Sequence, residues 1–290
     1  MKTLKCIQAL QGPQKGAAYR EYAQPRTSTW YEKSIVIADW AMATWIGVHA
    51  AIGLAHEPSQ LVTTALLIPP TLFVADFIGQ IFHKSFDSYT SEENPIWGDA
   101  TRRFRQHHEV PSNLEKMDYL SNVTSFATIL APFYAGASMI SLEPSYGAAV
   151  TLFLVTLMNA TEFHRQAHLK ESNWFFRTLQ KLRLSVSHDQ HMRHHRPPFD
   201  SEFTVINGWS EPVAKYTDLW RRMDQLWWKA FRKLPNNWIQ DPRSIPEPVL
   251  KELADDINNL PPDLLAYLQA YPRRVTPEIQ ALVDKFIAER

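Results

Sequence analysis

The sequence predicts an all-α integral membrane protein, with four transmembrane helices arranged as two hairpins and a histidine-rich helical cap on the cytoplasmic side. Three observations predict it. Lys and Arg are missing from two stretches, Ser34 to His83 and Met117 to His164, 50 and 48 residues long, in a chain of 290 residues with 30 basic side chains. The segments flanking those stretches are basic. Nine of the eleven histidines fall on one side of the arrangement so defined.

A helix that crosses a bilayer needs ~20 apolar residues, so each stretch has room for two crossings and a tight turn. The first hairpin is expected from about Ile35 to Ala55 and from about Leu61 to Phe82, turning at His56-Glu57-Pro58-Ser59. The second is expected from about Leu120 to Ile140 and from about Tyr146 to Phe163, turning at Glu143-Pro144-Ser145. Asp39, Asp76 and Glu162 are the acids in or near these spans, and Pro69-Pro70 should kink the second. The competing reading is a soluble helical core, but soluble helices carry Lys and Arg on an outer face.

Orientation follows from the cations. Six Lys/Arg precede the first span, five lie between Lys84 and Lys116, nineteen follow from Arg165 onward, and the short turns have none. By the positive-inside rule both termini and the central segment are cytoplasmic. Trp30, Trp40, Trp45, Trp97 and Trp174 sit where interfacial anchors are expected. The N-terminus has no apolar run long enough for a cleaved signal peptide. A multi-pass protein of a bacterial inner membrane or the endoplasmic reticulum is therefore expected.

Composition excludes several functions. Thirty Lys+Arg cancel thirty Asp+Glu, so nothing points to nucleic acid. One cysteine, Cys6, rules out intrachain disulfides, iron–sulfur clusters and cysteine-rich zinc modules. Nine glycines form no GxGxxG, GxxxxGK[ST] or GxSxG pattern.

The histidines are grouped. His83 and Asp87 are spaced i,i+4 as the second span ends, and His164 and His168 repeat that spacing as the fourth ends. Each pair projects from one helical face. His191 and His195 are again i,i+4 with His194 beside them, and His107-His108 are adjacent in the central segment. Imidazole binds transition metals through a neutral nitrogen, and carboxylate favours hard cations such as iron or manganese. Eight histidines and one carboxylate are too many for one ion and suit two. A lone tetrahedral zinc leaves half of them unexplained. Bis-histidine haems fit poorly because i,i+4 or adjacent histidines point the same way. The Glu and Glu-x-x-His pattern of ferritin-like di-iron bundles is missing. His188 is either an extra ligand or a solvated loop residue, and His49 and His56, toward the opposite side, are read as structural. A histidine-rich dimetal centre at a membrane surface points to oxygen chemistry on a lipid chain.

Asp76-Phe77, His83-Lys-Ser-Phe-Asp87, Phe104-Arg-Gln-His107-His108 with Pro111, Asp118 and Asn122, His164-Arg-Gln-Ala-His168, His191-Met-Arg-His194-His195 with Pro198, Phe203 and Ile206-Asn-Gly-Trp209, then Leu219-Trp-Arg-Arg-Met-Asp224, form an ordered set of boxes. This set resembles the Kua, or plasmanylethanolamine desaturase, family of membrane lipid desaturases, which also includes a plastid palmitate desaturase. The resemblance covers about Ile35 to Trp228. It implies two irons, dioxygen as co-substrate and an external electron donor of the cytochrome b5 or ferredoxin type. It also makes His83, Asp87, His107, His108, His164, His168, His191, His194 and His195 the metal-binding and catalytic candidates. Two departures bear on substrate: Lys84-Ser85 stands where the family often has Trp-Gly, and Gln190-His191 where it often has adjacent histidines.

The expected partition is a cytoplasmic segment 1–33, a desaturase domain 34–229 and a Pro-rich helical extension 230–290. The extension has no histidine or cysteine to hold a redox group, so the electron donor should be a separate protein. Short amphipathic segments near Val249 to Ile257, Asp263 to Ala270 and Pro277 to Ala288 are expected to pack on the cap. The expected substrate is a membrane phospholipid, with vinyl-ether formation on a 1-O-alkyl chain first. A double bond near the carboxyl end of an acyl chain is the alternative, followed by hydroxylation. A non-enzymatic membrane metal-binding protein is the rival from another class.

Overall fold

The computed structural model describes residues 29–249 apart from 96, 111 and 241–243. Among these the chain is helical and has no strand. The helices are α1 (Trp30–His56), α2 (Gln60–Ser88), α3 (Gly98–Glu109), the single turn α4 (Ser112–Glu115), α5 (Tyr119–Ser138), α6 (Pro144–Met158), α7 (Ala160–His168), α8 (Trp174–Lys181), α9 (His188–His194), α10 (Glu211–Tyr216), α11 (Leu219–Phe231) and α12 (Asn236–Gln240). The segments expected at Asp263 to Ala270 and Pro277 to Ala288, most of Val249 to Ile257, and nearly all of segment 1–33 lie outside the described residues.

A capping box starts α1: the Thr29 hydroxyl accepts from Glu32 N at 3.2 Å, and Thr29 N donates to the Glu32 carboxylate at 2.7 Å. The turn falls at Glu57-Pro58-Ser59, and α2 then continues unbroken through Pro69 and Pro70. At 27 and 29 residues, these two helices are about 40 Å long, more than the ~30 Å hydrocarbon layer requires. They are the two described helices apolar and long enough by themselves to cross a membrane. The extra length of α2 decides where the site lies. Its first half exposes Leu61, Val62 and Leu66, as a lipid-facing surface does, whereas Ala75, Asp76, Gly79, Gln80, His83, Lys84, Phe86 and Asp87 are all buried.

The fourth expected span is not one straight helix. It divides at Asn159 into α6 and α7, which meet at 47°, and this pair counts as a third span if the break lies within one crossing. Asn159 donates to Val155 O at 2.8 Å and accepts from the Tyr119 hydroxyl at 2.7 Å. Tyr119 in turn accepts from the Trp40 indole at 3.1 Å, so the break is pinned to α1 and α5. The bend re-aims α7, which carries His164 and His168. Helix α5 is not among the candidate spans. Ser121, Asn122, Thr124, Ser125 and Thr128 dilute its apolar character.

The helices are also interleaved more than two separate hairpins would be. Helix α1 packs along α5 and α6, and α2 packs along α6. The α1–α6 seam is made of small residues: a β-carbon on Gly53 would collide with the Pro144 ring, and one on Gly147 would lie 3.2 Å from Ala50 Cβ. Val36, Ala43, Val123, Phe126, Tyr134, Leu154, Leu157 and Met158 fill the bundle core. Asp39 is enclosed there with neither oxygen hydrogen-bonded.

Over the cap end of the bundle lie α3, α7 and α9 and a strap from Phe199 to Ser210. Beyond it, Leu234, Trp238 and Val249 pack on Trp228 of α11.

Candidate metal centre

Three short helices and the end of α2 converge. Helix α2 contributes His83 and Asp87, α3 contributes His107 and His108, and α7 contributes His164 and His168. His191 and His194 come from α9, and His195 from its C-cap. Asp118 caps α5 by accepting from Ser121 N at 3.0 Å. Asn122 then bonds Thr161 O and Glu162, while Thr161 bonds back to Asn122 O, locking α7 onto α5. Glu162 also pairs with Arg165 at 2.6 Å and accepts from Gln166 at 2.9 Å. Ser187 caps α9 by accepting from Gln190 N.

The nine side chains singled out in the sequence fall into two adjacent groups. One holds His107, His164, His168, His191 and His195; the other holds His83, Asp87, His108 and His194. Within each group the ligand atoms lie within 4.8 Å of one another. The groups adjoin: the His107 and His108 rings are 4.5 Å apart, His108 and His195 4.4 Å, and His83 and His164 4.8 Å. His188 joins neither group. Its Nδ1 donates to Ala167 O at 2.9 Å, beside His168, so it braces α7. His49 bonds Trp45 O one turn back and packs tilted against that indole at 4.0 Å, a structural role.

With neutral rings, hydrogen bonding cannot satisfy every nitrogen in either group. In the first, the Nε2 atoms of His164, His168 and His191 form a closed triangle of 2.8, 3.0 and 3.2 Å. A neutral imidazole Nε2 is either a donor or an acceptor, so at least two of the three are of the same kind and face each other unfavourably. His195 adds a fourth Nε2 at 3.1 Å from that of His191. In the second group, His83 Nδ1 lies 2.8 Å from Phe203 O and His194 Nδ1 2.9 Å from Ser201 O. A carbonyl only accepts, so in neutral rings both Nδ1 atoms carry the proton and both Nε2 atoms present lone pairs. Those lone pairs face Asp87 Oδ2 at 3.1 and 3.2 Å, and His83 has no hydrogen-bond alignment there. His108 Nε2 meets the same oxygen at 3.1 Å.

A cation shared within each group would resolve these contacts. Around an ion with metal–imidazole bonds of about 2.1 Å, neighbouring octahedral ligands are about 3.0 Å apart, within the observed 2.8–3.2 Å. One ion would be held by five imidazoles and the other by three imidazoles with a carboxylate. Such a donor set suits iron or manganese.

Electrostatics agree with a ligand state. Burial, reinforced by neighbouring imidazoles, holds His107, His191 and His195 well below the usual histidine range. Burial also pushes His194 down to about 3, against the opposing pull of Asp87. Neutral imidazole is the form that binds metal.

The supports of these ligands were the least visible part of the sequence. Asp76, two turns before His83, accepts six hydrogen bonds. Thr204 Oγ1, Asn207 N and Gly208 N reach Oδ1 at 2.9, 3.1 and 3.1 Å. Gln80 Nε2, Ser210 N and Ser210 Oγ reach Oδ2 at 3.0, 3.0 and 2.6 Å. It thereby pins the strap whose Phe203 and Ser201 carbonyls orient His83 and His194. Gly208 sits at φ +78°, where a β-carbon would strike Gln190. Lys84 is buried against Asp224 at 2.8 Å, bonds Asn237 at 3.2 Å and lies over the Phe203 ring at 4.8 Å. It thus ties α11 and α12 to the same strap.

A sequence model of the lipid desaturase domain matches residues 72–238, more than half of the chain. Among curated proteins, the chloroplast fatty acid desaturase 4 of Arabidopsis thaliana is 22% identical over 212 residues, covering 69% of this chain and 66% of that protein. Plasmanylethanolamine desaturase 1 of Mus musculus is 26% identical over 164 residues, 53% of this chain and 60% of that one. The plasmanylethanolamine desaturase of Myxococcus xanthus is 23% identical over 179 residues, 58% of this chain and 63% of that one. The chain thus spans about three fifths of the length of these relatives. No solved structure matches it. The chain belongs to the lipid desaturase family, a family of oxidoreductases.

Proposed function

We propose that the chain is a di-iron, dioxygen-dependent desaturase that makes the vinyl-ether double bond of plasmalogens from 1-O-alkyl (plasmanyl) phospholipids. The observation that carries this reading is the pair of adjoining ligand groups with unsatisfied lone pairs, at the cap end of helices that suit a membrane. His83, Asp87, His108 and His194 would hold one iron, and His107, His164, His168, His191 and His195 the other. Bound iron supplies the activation of dioxygen that removes hydrogen from an unactivated carbon. The balance is one saturated carbon pair, one dioxygen, two electrons and two protons converted to an alkene and two waters.

The chain's own residues do the positioning. Phe203 O and Ser201 O fix the tautomers of His83 and His194, Asp87 supplies the negative charge, and the α5–α7 lock holds His164 and His168 in register. The electrons come from a separate protein of the cytochrome b5 or ferredoxin type. We assign the catalytic unit to 34–229 and the extension to 230–290. In the topology we propose, α1, α2, α5 and the broken α6–α7 cross the membrane, with both termini cytoplasmic, in a bacterial inner membrane or endoplasmic reticulum.

A centre at the membrane surface favours carbons next to the headgroup, and the mouse and Myxococcus relatives are named for such a substrate. The broader coverage of the chloroplast fatty acid desaturase supports a second reading, desaturation of an ester-linked chain near its carboxyl end. Lipid profiling of cells with and without the gene separates the two, because vinyl ethers are cleaved by acid and acyl double bonds are not. An acid-labile alkenyl phospholipid that depends on the gene is expected. New acyl double bonds alone would select the second reading, and no change in either class would overturn both.

A further inference from the structure

The charged surface of the cap is uneven. On α3 and α7 arginines meet acids: Arg102 and Arg105 lie 3.7 and 4.0 Å from Glu92, and Arg165 lies 2.6 Å from Glu162. Arg193 of α9 pairs with Glu202 at 3.3 Å. Across α10, α11 and the two residues that follow, the balance differs. Lys215, Arg221, Arg222, Lys229, Arg232 and Lys233 are exposed there, against one exposed carboxylate, Asp218, while Glu211 and Asp224 are buried. The apolar face of α11 is turned inward, Trp220 against the Phe203 ring at 5.2 Å and Trp228 against Leu234 and Trp238. Its outer face presents Arg222, Leu226 and Lys229, spaced i, i+4 and i+7.

A line of close contacts leads from this helix to the metal centre. Phe231, 56% exposed, lies 4.4 Å from the Trp227 ring, and Trp227 stacks on Tyr89 at 4.7 Å. The Lys84 ammonium bridges the Tyr89 and Phe203 rings, 5.4 and 4.8 Å from their centroids. Phe203 is in turn 4.5 Å from the ring of His194, a member of the group that holds Asp87.

We propose that the outer face of α11 docks the electron donor, an acidic one-electron carrier protein; the proposal rests on the desaturase reading above. Charge and position carry it together. A surface with six exposed cations and one exposed acid attracts a negatively charged partner and steers its approach. Transient electron-transfer encounters need only a small interface. Electron transfer weakens steeply with distance, so a carrier seated over Trp227 and Phe231 gains from the closely packed groups that lead to His194. An amphipathic helix lying on lipid turns its apolar face outward, whereas α11 turns that face inward, so a protein suits its outer face better than a membrane surface does. Each docked carrier is oxidised by one electron as the centre is reduced by one. Two such transfers supply the two electrons of the desaturation balance, and the two protons come from water.

The test uses the full-length, iron-loaded protein in nanodiscs of neutral lipid, with two probes of net negative charge, the reduced haem domain of a cytochrome b5 and a reduced ferredoxin. At low ionic strength the double variant Arg222→Glu with Lys229→Glu should slow association with the carrier that binds the wild type, and that carrier's oxidation, by roughly 10–100-fold. The wild-type rate should fall as salt is added and the variant's rate should not. Iron per chain, and a single turnover driven by dithionite, should be unchanged. A second variant, Leu226→Cys combined with Cys6→Ser, should react with a water-soluble thiol reagent in neutral nanodiscs and be protected when the carrier is added. Unchanged carrier kinetics in the double variant, or a wild type that binds neither carrier, would overturn the proposal. So would a Leu226→Cys thiol that the reagent cannot reach before any carrier is added, or one shielded by anionic lipid alone, which would assign the face to the membrane. Because binding and protection need no lipid turnover, a wild-type protein that docks the carrier here but desaturates no lipid refutes the functional reading and leaves the docking face standing.

Discussion

Replacing Asp76 tests how the second ligand group is held. Its carboxylate receives three backbone N–H groups, two hydroxyls and one amide, all at 2.6–3.1 Å, five of them buried and the one from Gly208 part-buried. In Asp76→Ala the hydroxyls and the amide can turn elsewhere, but the N–H groups of Asn207, Gly208 and Ser210 cannot. Each orphaned buried donor costs roughly 1–3 kcal/mol, and the three are not additive, so a loss of about 3–5 kcal/mol is expected. At the scaling of domains of this size that lowers Tm by roughly 10 °C. Asp76→Asn retains Oδ1 and loses only the acceptor facing Ser210 and Gln80, for about 1–3 kcal/mol.

The distinctive outcome concerns metal. Loosening the strap releases the carbonyls that hold His83 and His194, so Asp76→Asn should weaken the second iron by roughly 10–100-fold and spare the five-histidine group. Thermal unfolding in detergent, together with iron retention under a graded chelator challenge, reads both effects. A variant with unchanged Tm and unchanged retention of both irons would refute the strap argument.

The remaining predictions concern the ligands themselves. His194→Ala and His168→Ala should each abolish turnover with membrane insertion intact, and each should leave about one iron per chain in the opposite group; near-normal product from either would remove that residue from the centre. His188→Ala should keep both irons and lose only about 1 kcal/mol, because its ring bonds Ala167 O and lies outside both groups; loss of an iron would make it a ligand. The metal-free cap should be acid-sensitive. Burial lowers His107, His191 and His195 and brings His194 to about 3, whereas the unfolded chain takes up protons near 6.5. Stability is then fully present above about 6.5 and falls as pH drops below it, by up to roughly 1.4 kcal/mol per pH unit for each histidine. A Tm of chelator-stripped protein that stays flat from about pH 7.5 to pH 5 would contradict this.

The gathering of the candidate side chains was legible because i,i+4 spacing puts residues on one helical face. His83/Asp87, His164/His168 and His191/His195 are each one helical turn apart, and all three pairs lie on helices, or on a helix and its cap, as that spacing implies. How the nine divide into two groups was not legible, since His107 and His108 are neighbours in sequence yet belong to different groups. That division depends on which way two adjacent side chains leave α3. The apolar lengths of α1 and α2 followed from the missing cations, but the break at Asn159 did not, because an amide that bonds its own backbone and Tyr119 leaves no periodic trace. Asp76 could be read only as an acid near a span. Its six donors come largely from residues some 130 positions later, and the sequence carries no mark of that pairing. Lys84 looked like a departure from the family pattern, and its burial against Asp224 supplies the structural counterpart of that departure.

The most direct test of a two-ion centre built from these nine side chains is Mössbauer spectroscopy with iron quantification on the purified, iron-57-enriched protein. The account predicts two irons per chain in two distinguishable environments, one of imidazoles alone and one of imidazoles with a carboxylate, with His194→Ala removing the second set of lines and His168→Ala the first. A protein that desaturates lipid with a single iron, or whose two irons respond identically to both substitutions, would contradict it.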